Sequence, residues 1–211
     1  MHLARRAWCR TYQTVFRIAL PILPYTEPHI LEHAEDVPTV LQKRSIQKVL
    51  IVTDPGIARL GLTASLERAV TAQGIGVTVY AETRANPTVS NVEEAASLYR
   101  GNDCQAIIGF GGGSAMDCAK GVGARIAQPN KPINKMRGLL RVHRLLPLLI
   151  AVPTTAGTGS EVTLAAVITD DETHYKYPIN DFVLIPRLAV RDPEFTRGLP
   201  ASITVSYTHL R

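Results

Sequence analysis

Two segments of this chain concentrate backbone amides and hydroxyls where an anion could be held. The first runs Gly109-Phe110-Gly111-Gly112-Gly113-Ser114-Ala115-Met116-Asp117-Cys118-Ala119-Lys120, and the second Pro153-Thr154-Thr155-Ala156-Gly157-Thr158-Gly159-Ser160-Glu161. Successive glycines strip the β-carbons from a turn, so its N–H groups can approach a phosphate closely. A helix that follows directs its positive end at the same anion. Gly112 and Gly113 supply that turn, and Ser114 adds a hydroxyl. The bland alternative is a tight strand-to-helix turn with no ligand. Thr154, Thr155, Thr158 and Ser160 offer donors suited to ribose, phosphate or amide recognition.

The carboxylates nearby have two readings each. Asp117, one turn into the helix, would repel a phosphate that it faced, so it points sideways at a ribose or substrate group, or braces the loop. Lys120, three residues on, is placed to pair with it across the helix surface. Asp54 follows an apolar run where an acidic residue can accept hydrogen bonds from an adenosine ribose, or else caps the turn at Pro55-Gly56. Glu161 is a potential base, although a helix-start or loop-bracing role is the simpler reading.

Other phosphate and nucleophile motifs fail by spacing. A GxGxxG/A fingerprint begun at Gly109 or Gly111 meets Ser114 or Met116 at its sixth position. Lys120 lies between Ala119 and Gly121, not in a Gly-Lys-Ser/Thr ending. Neither Ser114 nor Ser160 has glycine two residues away on both sides, as a hydrolase elbow needs.

The elements that must carry these segments alternate between strand and helix. Lys48–Thr53 is a nearly continuous apolar, β-branched run, the mark of a parallel strand covered on both faces. Apolar spacing from Leu60 to Gln73, through Leu62, Leu66, Ala69 and Val70, predicts a helix stopped at Gly74. Gly76–Tyr80 reads as a strand and Asn86-Pro87-Thr88 as a loop. Ser90 and Glu93 form a capping-box pattern for a helix ending near Gly101. Gln105–Gly109 is a further strand, with the first glycine segment leading into a helix over Ala115–Ala127. Pro129–Arg144 reads as a basic surface excursion, and Leu145–Val152 as the strand before the second segment. Val162–Thr169 and Phe182–Arg191 read as strands of a hairpin or edge extension, turned at Asp170-Asp171-Glu172. The repeated alternation implies an α/β fold with a mostly parallel sheet.

The 211 residues suffice for one full domain with an appendage. The net charge of +5 could point to a polyanion. Its arginines and lysines, however, gather at the front (Arg5, Arg6, Arg10, Arg17) and in the excursion (Lys131, Lys135, Arg137, Arg141, Arg144), without the interleaved aromatics of a base-stacking platform. Solvated basic faces are expected, not a nucleic-acid partner. Cys9, Cys104 and Cys118 are odd in number and lack CxxC spacing, which indicates a reducing compartment, the cytoplasm. The apolar stretch Val15–Pro24 is broken by Arg17 and two prolines, too short to span a membrane; a packing segment or amphipathic surface helix is expected, and an organelle leader stays open.

Taken together, Val49–Asp54, Asn86-Pro87-Thr88, Gly111–Asp117 with Lys120, Pro153–Glu161 with Thr163, Ile168-Thr169-Asp170 and Asp192-Pro193 resemble the cofactor-binding portion of the iron-containing (group III) alcohol dehydrogenases, in family order over about residues 45–200. The resemblance implies a Rossmann-like domain followed by an all-helical domain, with NAD(P) and a divalent metal between them. It implies Asp54 at the adenine-side ribose, favouring NAD over NADP, and Gly112, Gly113 and Ser114 at the pyrophosphate. Asn86, Thr154, Thr155 and Thr158 would surround the cofactor's phosphates and sugars, and Lys176 would reach toward the ribose hydroxyls. The family reaction is reversible hydride transfer between an alcohol or aldehyde and the nicotinamide, with iron or zinc as Lewis acid.

The pattern departs after Ile203. The family's Asp-x-x-x-His pair of metal ligands would follow, but His209 has Val205 four residues before it, and His143 and His174 read as surface histidines. The expectation is therefore an N-terminal extension over 1–30, a dinucleotide-binding domain over 31–203, and an aberrant tail over 204–211, with metal ligands and helical domain absent. Such a chain would bind cofactor without catalysing, and a homo-oligomer is expected only of the full-length enzyme. Two other readings are a noncatalytic nucleotide-binding module and a related polyol or polyol-phosphate dehydrogenase.

Overall fold

The computed structural model of the chain describes residues 10, 11, 13, 14 and 25–198. The expectations for Val15–Pro24 and for the tail with Val205 and His209 lie outside them. The strands are β1 (His29–Leu31), β2 (Lys48–Val52), β3 (Gly76–Tyr80), β4 (Ala106–Gly111), β5 (Gly138–Leu139), β6 (Leu148–Pro153), β7 (Ala165–Thr169), β8 (Lys176–Asn180) and β9 (Leu188–Val190). The helices are α1 (Val37–Lys43), α2 (Pro55–Arg59), α3 (Ala64–Ala72), α4 (Val89–Gly101), α5 (Gly113–Ala127) and α6 (Glu194–Arg197).

Six strands form one parallel sheet in the order β1-β9-β6-β4-β2-β3. Its alternate residues explain the continuous apolar runs. Val49 and Ile51 of β2 and Ala106, Ile108 and Phe110 of β4 point to a core shared with α1 and α3. Leu50 and Val52, with Ile107, point to the opposite core, shared with α4, α5 and the β7–β8 hairpin. Helices on both faces leave no polar side for the sheet to show. The mostly parallel α/β class expected from the alternation, and the Rossmann-like domain implied by the resemblance, are what is observed.

The chain steps outward from β2 to β3, then returns to place β4 on the other side of β2. Connections therefore leave the carboxyl ends of β2 and β4 in opposite directions, and a crevice opens between them, where open α/β sheets bind ligands. Asp54 stands at the start of one connection and Gly111–Gly113 at the start of the other.

Several boundaries differ from the sequence expectation. The helix read over Leu60–Gln73 begins later, at Ala64 as α3, and a separate short helix, α2, precedes it. Gly61, with φ +66, turns the chain between them, and Leu60 is left 73% exposed. Helix α4 is capped by Thr88, not Ser90. The Thr88 side chain accepts from the Asn91 backbone N–H at 3.3 Å, and the Asn91 side-chain Oδ1 accepts from the Thr88 N–H at 3.2 Å. Thr88 is the extended residue just before Val89, where the helix begins, so Ser90 is already helical, and Glu93 instead pairs with Arg125 at 2.6 Å.

The partner of β7 in the antiparallel hairpin is Lys176–Asn180, not Phe182–Arg191. Phe182–Leu184 is a turn of 3-10 helix, and β9 joins the main sheet. Pro178 hid β8 from the sequence reading. It is tolerated because β5 pairs only with Ile179 and Asn180, leaving Pro178 without a second neighbour to serve. The basic excursion is also anchored: Ile133, Met136 and Val142 are fully buried.

Gly109 sets how closely α5 packs on β4. A β-carbon there would stand 2.9 Å from the Ala119 β-carbon and 3.4 Å from the Met116 backbone. Gly109→Ala should cost about 1–3 kcal/mol of stability by forcing the helix off the sheet. A urea titration of the two chains measures the difference.

Candidate dinucleotide site

The crevice at the switch point is a cavity of about 1470 Å³, lined by residues that include Asp54, Arg59, Arg84, Asn86, Gly112, Gly113, Ser114, Asp117, Thr158 and Ser160. Asp54 performs the capping role with one oxygen. Its Oδ1 accepts from the N–H groups of Gly56 at 2.8 Å and Ile57 at 3.0 Å. Oδ2 has no hydrogen-bond partner among the described residues and sits over the glycine turn, 3.4 Å from where a Gly111 β-carbon would be. The two readings of Asp54 thus fall on different oxygens. Gly111 itself has φ +145, a conformation side chains avoid, and a β-carbon there would lie 2.9 Å from that of Ala115.

Helix α5 begins at Gly113 with no side-chain cap on its N-terminus. Its first N–H groups therefore open into the crevice unsatisfied, where an anion is stabilised. The Ser114 hydroxyl accepts from the Asn86 N–H at 3.2 Å, which ties the Asn86 loop to the helix start. Asn86 has φ +61, and its carbonyl accepts from Thr169 Oγ1 at 3.4 Å. Asn91 holds the rest of that loop. Its buried amide accepts from Arg84 N and Thr88 N and donates to the Tyr80 hydroxyl and the Glu82 carbonyl, filling all four of its positions.

Asp117 and Lys120 do not pair with each other as expected. Both reach from one face of α5 to the chain that follows the second glycine segment. Asp117 accepts from Ser160 Oγ at 2.8 Å and from Val167 N at 3.1 Å, so it braces the loop. Lys120 is 0% exposed, and its ammonium donates to Thr163 O at 2.8 Å, Thr163 Oγ1 at 3.1 Å and Ala165 O at 2.8 Å. Burial pushes the Lys120 pKa down to about 8, against the pull of the Asp117 and Glu161 carboxylates. Burial also raises the Asp117 carboxyl, against its bonds to Val167 and Ser160.

The remaining threonines divide. Thr158 lines the crevice beside Gly113. Thr154 is buried beneath it, donating its N–H to Gly111 O at 3.0 Å, and so joins the two segments through backbone. Thr155 packs against Gly112, 3.4 Å from where a β-carbon would stand, and its hydroxyl is buried without a partner. Lys176 does not line the crevice. It is exposed and in register with Thr169, on the hairpin face that carries Ala165 and Val167 to the crevice wall. His143 and His174 are exposed, as expected.

Sequence reasoning passed over Arg59, Glu82 and Arg84 as crevice residues. A usable signal existed for all three, since they follow the carboxyl ends of β2 and β3, where a parallel sheet collects its functional loops. Cys104 and Cys118 are buried free thiols. No helix among the described residues is long and apolar enough to cross a membrane. Among the same residues no three His, Cys, Asp or Glu side chains gather where a metal could be held, so the metal of the resembled family does not fit on them.

Residues 31–193 match the iron-containing alcohol dehydrogenase family along their length. The chain belongs to that family. It is 39% identical over 166 residues to alcohol dehydrogenase 4 of Schizosaccharomyces pombe, covering 79% of this chain and 39% of that protein. Among solved structures it resembles an alcohol dehydrogenase from Oenococcus oeni, with a TM-score of 0.81 and 32% identity, covering 87% of this chain and 50% of the other. It likewise resembles the sulfoacetaldehyde reductase of Bifidobacterium kashiwanohense, solved in complex with NAD+, with a TM-score of 0.75 and 30% identity over 87% of this chain and 49% of that one. The chain thus spans half or less of the length of these relatives.

The buried ammonium gives a direct test of how the two segments are joined. Lys120→Met leaves the carbonyls of Thr163 and Ala165 without a donor, and should cost about 2–4 kcal/mol. Urea unfolding measures it, and faster amide exchange confined to residues 160–167 would identify the loosened segment.

Proposed function

We propose that residues 31–203 are the dinucleotide-binding domain of an NAD-dependent alcohol dehydrogenase. The observation that carries this reading is the uncapped start of α5, opening at the sheet's switch point beside an unpaired carboxylate oxygen. The N–H groups of Gly113 and Ser114 are placed for a pyrophosphate, with Gly112 bringing the backbone close. Asp54 Oδ2 is placed to accept from the hydroxyls of the adenine-side ribose and to repel a 2′-phosphate, which favours NAD over NADP. Asn86 and Thr158 stand on either side of α5's start, while Thr154 and Thr155 support the turn from below. Asp117 positions the Ser160 loop instead of touching cofactor, and Lys176 is the outermost contact, on the hairpin.

When bound, the nicotinamide exchanges a hydride with an alcohol or aldehyde carbon. The residues of this chain bind and orient the cofactor for that exchange, and no chemical step is assigned to a metal here. A small alcohol or aldehyde substrate, a divalent metal and assembly into a homo-oligomer belong to the proposed activity of the whole enzyme. The free thiols of Cys104 and Cys118 support a reducing compartment, the cytoplasm.

Two substitutions test the assignment. Gly112→Val drives a side chain against Thr155 at the helix start, and NADH affinity measured by calorimetry should fall about a hundredfold, given loss of charge-assisted phosphate bonds. Circular dichroism should stay unchanged, and undiminished NADH binding would sink the pyrophosphate assignment. Asp54→Asn keeps the cap but removes the charge. The ratio of NADPH to NADH affinity should then rise about tenfold as like-charge repulsion is relieved.

A further inference from the structure

A second cavity, of about 450 Å³, lies on the face of the β7–β8 hairpin turned away from the crevice. Strand alternation separates the two: Ala165 and Val167 line the crevice, while Tyr175 and Tyr177 have the opposite parity and line this cavity. Its wall also carries Lys135, Arg137 and Arg141 from the basic excursion, and Asp170 and Thr173 from the hairpin turn. None of the three cations is in an ion pair among the described residues. The single carboxylate of the wall, Asp170, uses Oδ1 to accept from Glu172 N and from the N–H and hydroxyl of Thr173. The wall therefore has a net positive charge.

The cations are held, not merely scattered along a loop. Asp181, 4% exposed, accepts from Val142 N at 3.0 Å and His143 N at 3.2 Å. Leu140 N donates to Asn180 O at 2.7 Å, continuing the pairing of β5 with β8. Arg137 immediately precedes this pinned stretch and Arg141 lies within it.

An independent observation points to an occupant. Tyr177 is 4% exposed, yet its hydroxyl is buried with no hydrogen-bond partner. A buried hydroxyl left unpaired is costly, and a ligand that accepts from it removes the cost. Tyr177 lines the cavity beside Arg137 and Asp170, and the charges that act on its hydroxyl are Asp170, Asp171 and Arg137.

We propose that this cavity binds the phosphate group of a small molecule, with Lys135, Arg137 and Arg141 neutralising it and the Tyr177 hydroxyl donating to it. Burial first, and then the nearby aspartates, hold the Tyr177 pKa up at about 12, so the hydroxyl keeps its proton and remains a donor at neutral pH. Planar guanidinium groups suit phosphate through paired N–H bonds. The cavity is of the size that takes a small metabolite.

The test is a site-resolved titration of the 211-residue chain, followed by amide NMR, with inorganic phosphate and with glycerol 3-phosphate as probes. Saturable shifts are expected at Arg137–Arg141 and Thr173–Tyr177, and they should persist in Gly112→Val, which separates this site from the dinucleotide crevice. Tighter binding of glycerol 3-phosphate identifies an organic phosphate as the ligand, and equal binding identifies free phosphate. Arg137→Gln and Arg141→Gln should each weaken binding about tenfold, and Tyr177→Phe, which keeps the buried ring, about fivefold. Shifts absent or unsaturable at these residues would overturn the proposal. So would affinity unchanged in both Arg141→Gln and Tyr177→Phe, or equal shifts produced by acetate.

Discussion

Asp117 and Lys120 stand three residues apart on α5, and the crevice depends on where their buried charges are satisfied. A buried ammonium in this fold must find acceptors, and Lys120 finds them in Thr163 and the Ala165 carbonyl. Asp117 finds its donors at Ser160 and Val167. One face of one helix thereby fixes the stretch from 160 to 167, which otherwise has only turns and bends before β7 to define it. The first glycine segment lies at the start of that same helix. The two segments are set relative to each other by charge satisfaction, with Thr154 N on Gly111 O as the backbone contact between them.

That arrangement leaves the sheet with a division of labour along its length. The middle of each central strand is apolar on both faces and carries the stability of the domain. The carboxyl ends carry polar groups whose capacity is only partly used inside the protein: one oxygen of Asp54, the first N–H groups of α5, the Thr155 hydroxyl. Unused capacity concentrated at a switch point is what a dinucleotide requires, because its phosphates and riboses demand many donors and acceptors in a short span. The hairpin forms a wall of the crevice on one face, and its other face packs into the core shared with α4 and α5, with the basic, pinned loop beside Tyr177. A single antiparallel ribbon thus separates two pockets of different chemistry.

Much of this was legible in the sequence because the signals were local. The β2 and β4 runs, the glycine turn and the helix after it follow from composition over a few residues. The motifs in order were specific enough to indicate the family that residues 31–193 match. What was misread was contextual. Thr88 took the cap from Ser90 because the helix begins at Val89; β8 was hidden by Pro178, which is harmless only because β5 is short. Lys120 looked like a surface partner for Asp117 because spacing along a helix says which residues share a face, not whether that face is buried.

The sequence by itself determined the alternation of strand and helix, the presence of two glycine segments, and the polar groups that accompany them. Those depend on backbone freedom, side-chain chemistry and periodicity, which each residue carries with it. Only the tertiary structure decided that Asp54 caps with one oxygen and offers the other, that Asp117 braces while Ser114 anchors the Asn86 loop, and that Lys176 stands apart from the crevice lining. It also decided that Tyr177 hides an unpaired hydroxyl among cations drawn from a segment forty residues away. The physical reason is that burial, and with it the need for a partner, is a property of the assembled layers and not of any stretch of chain.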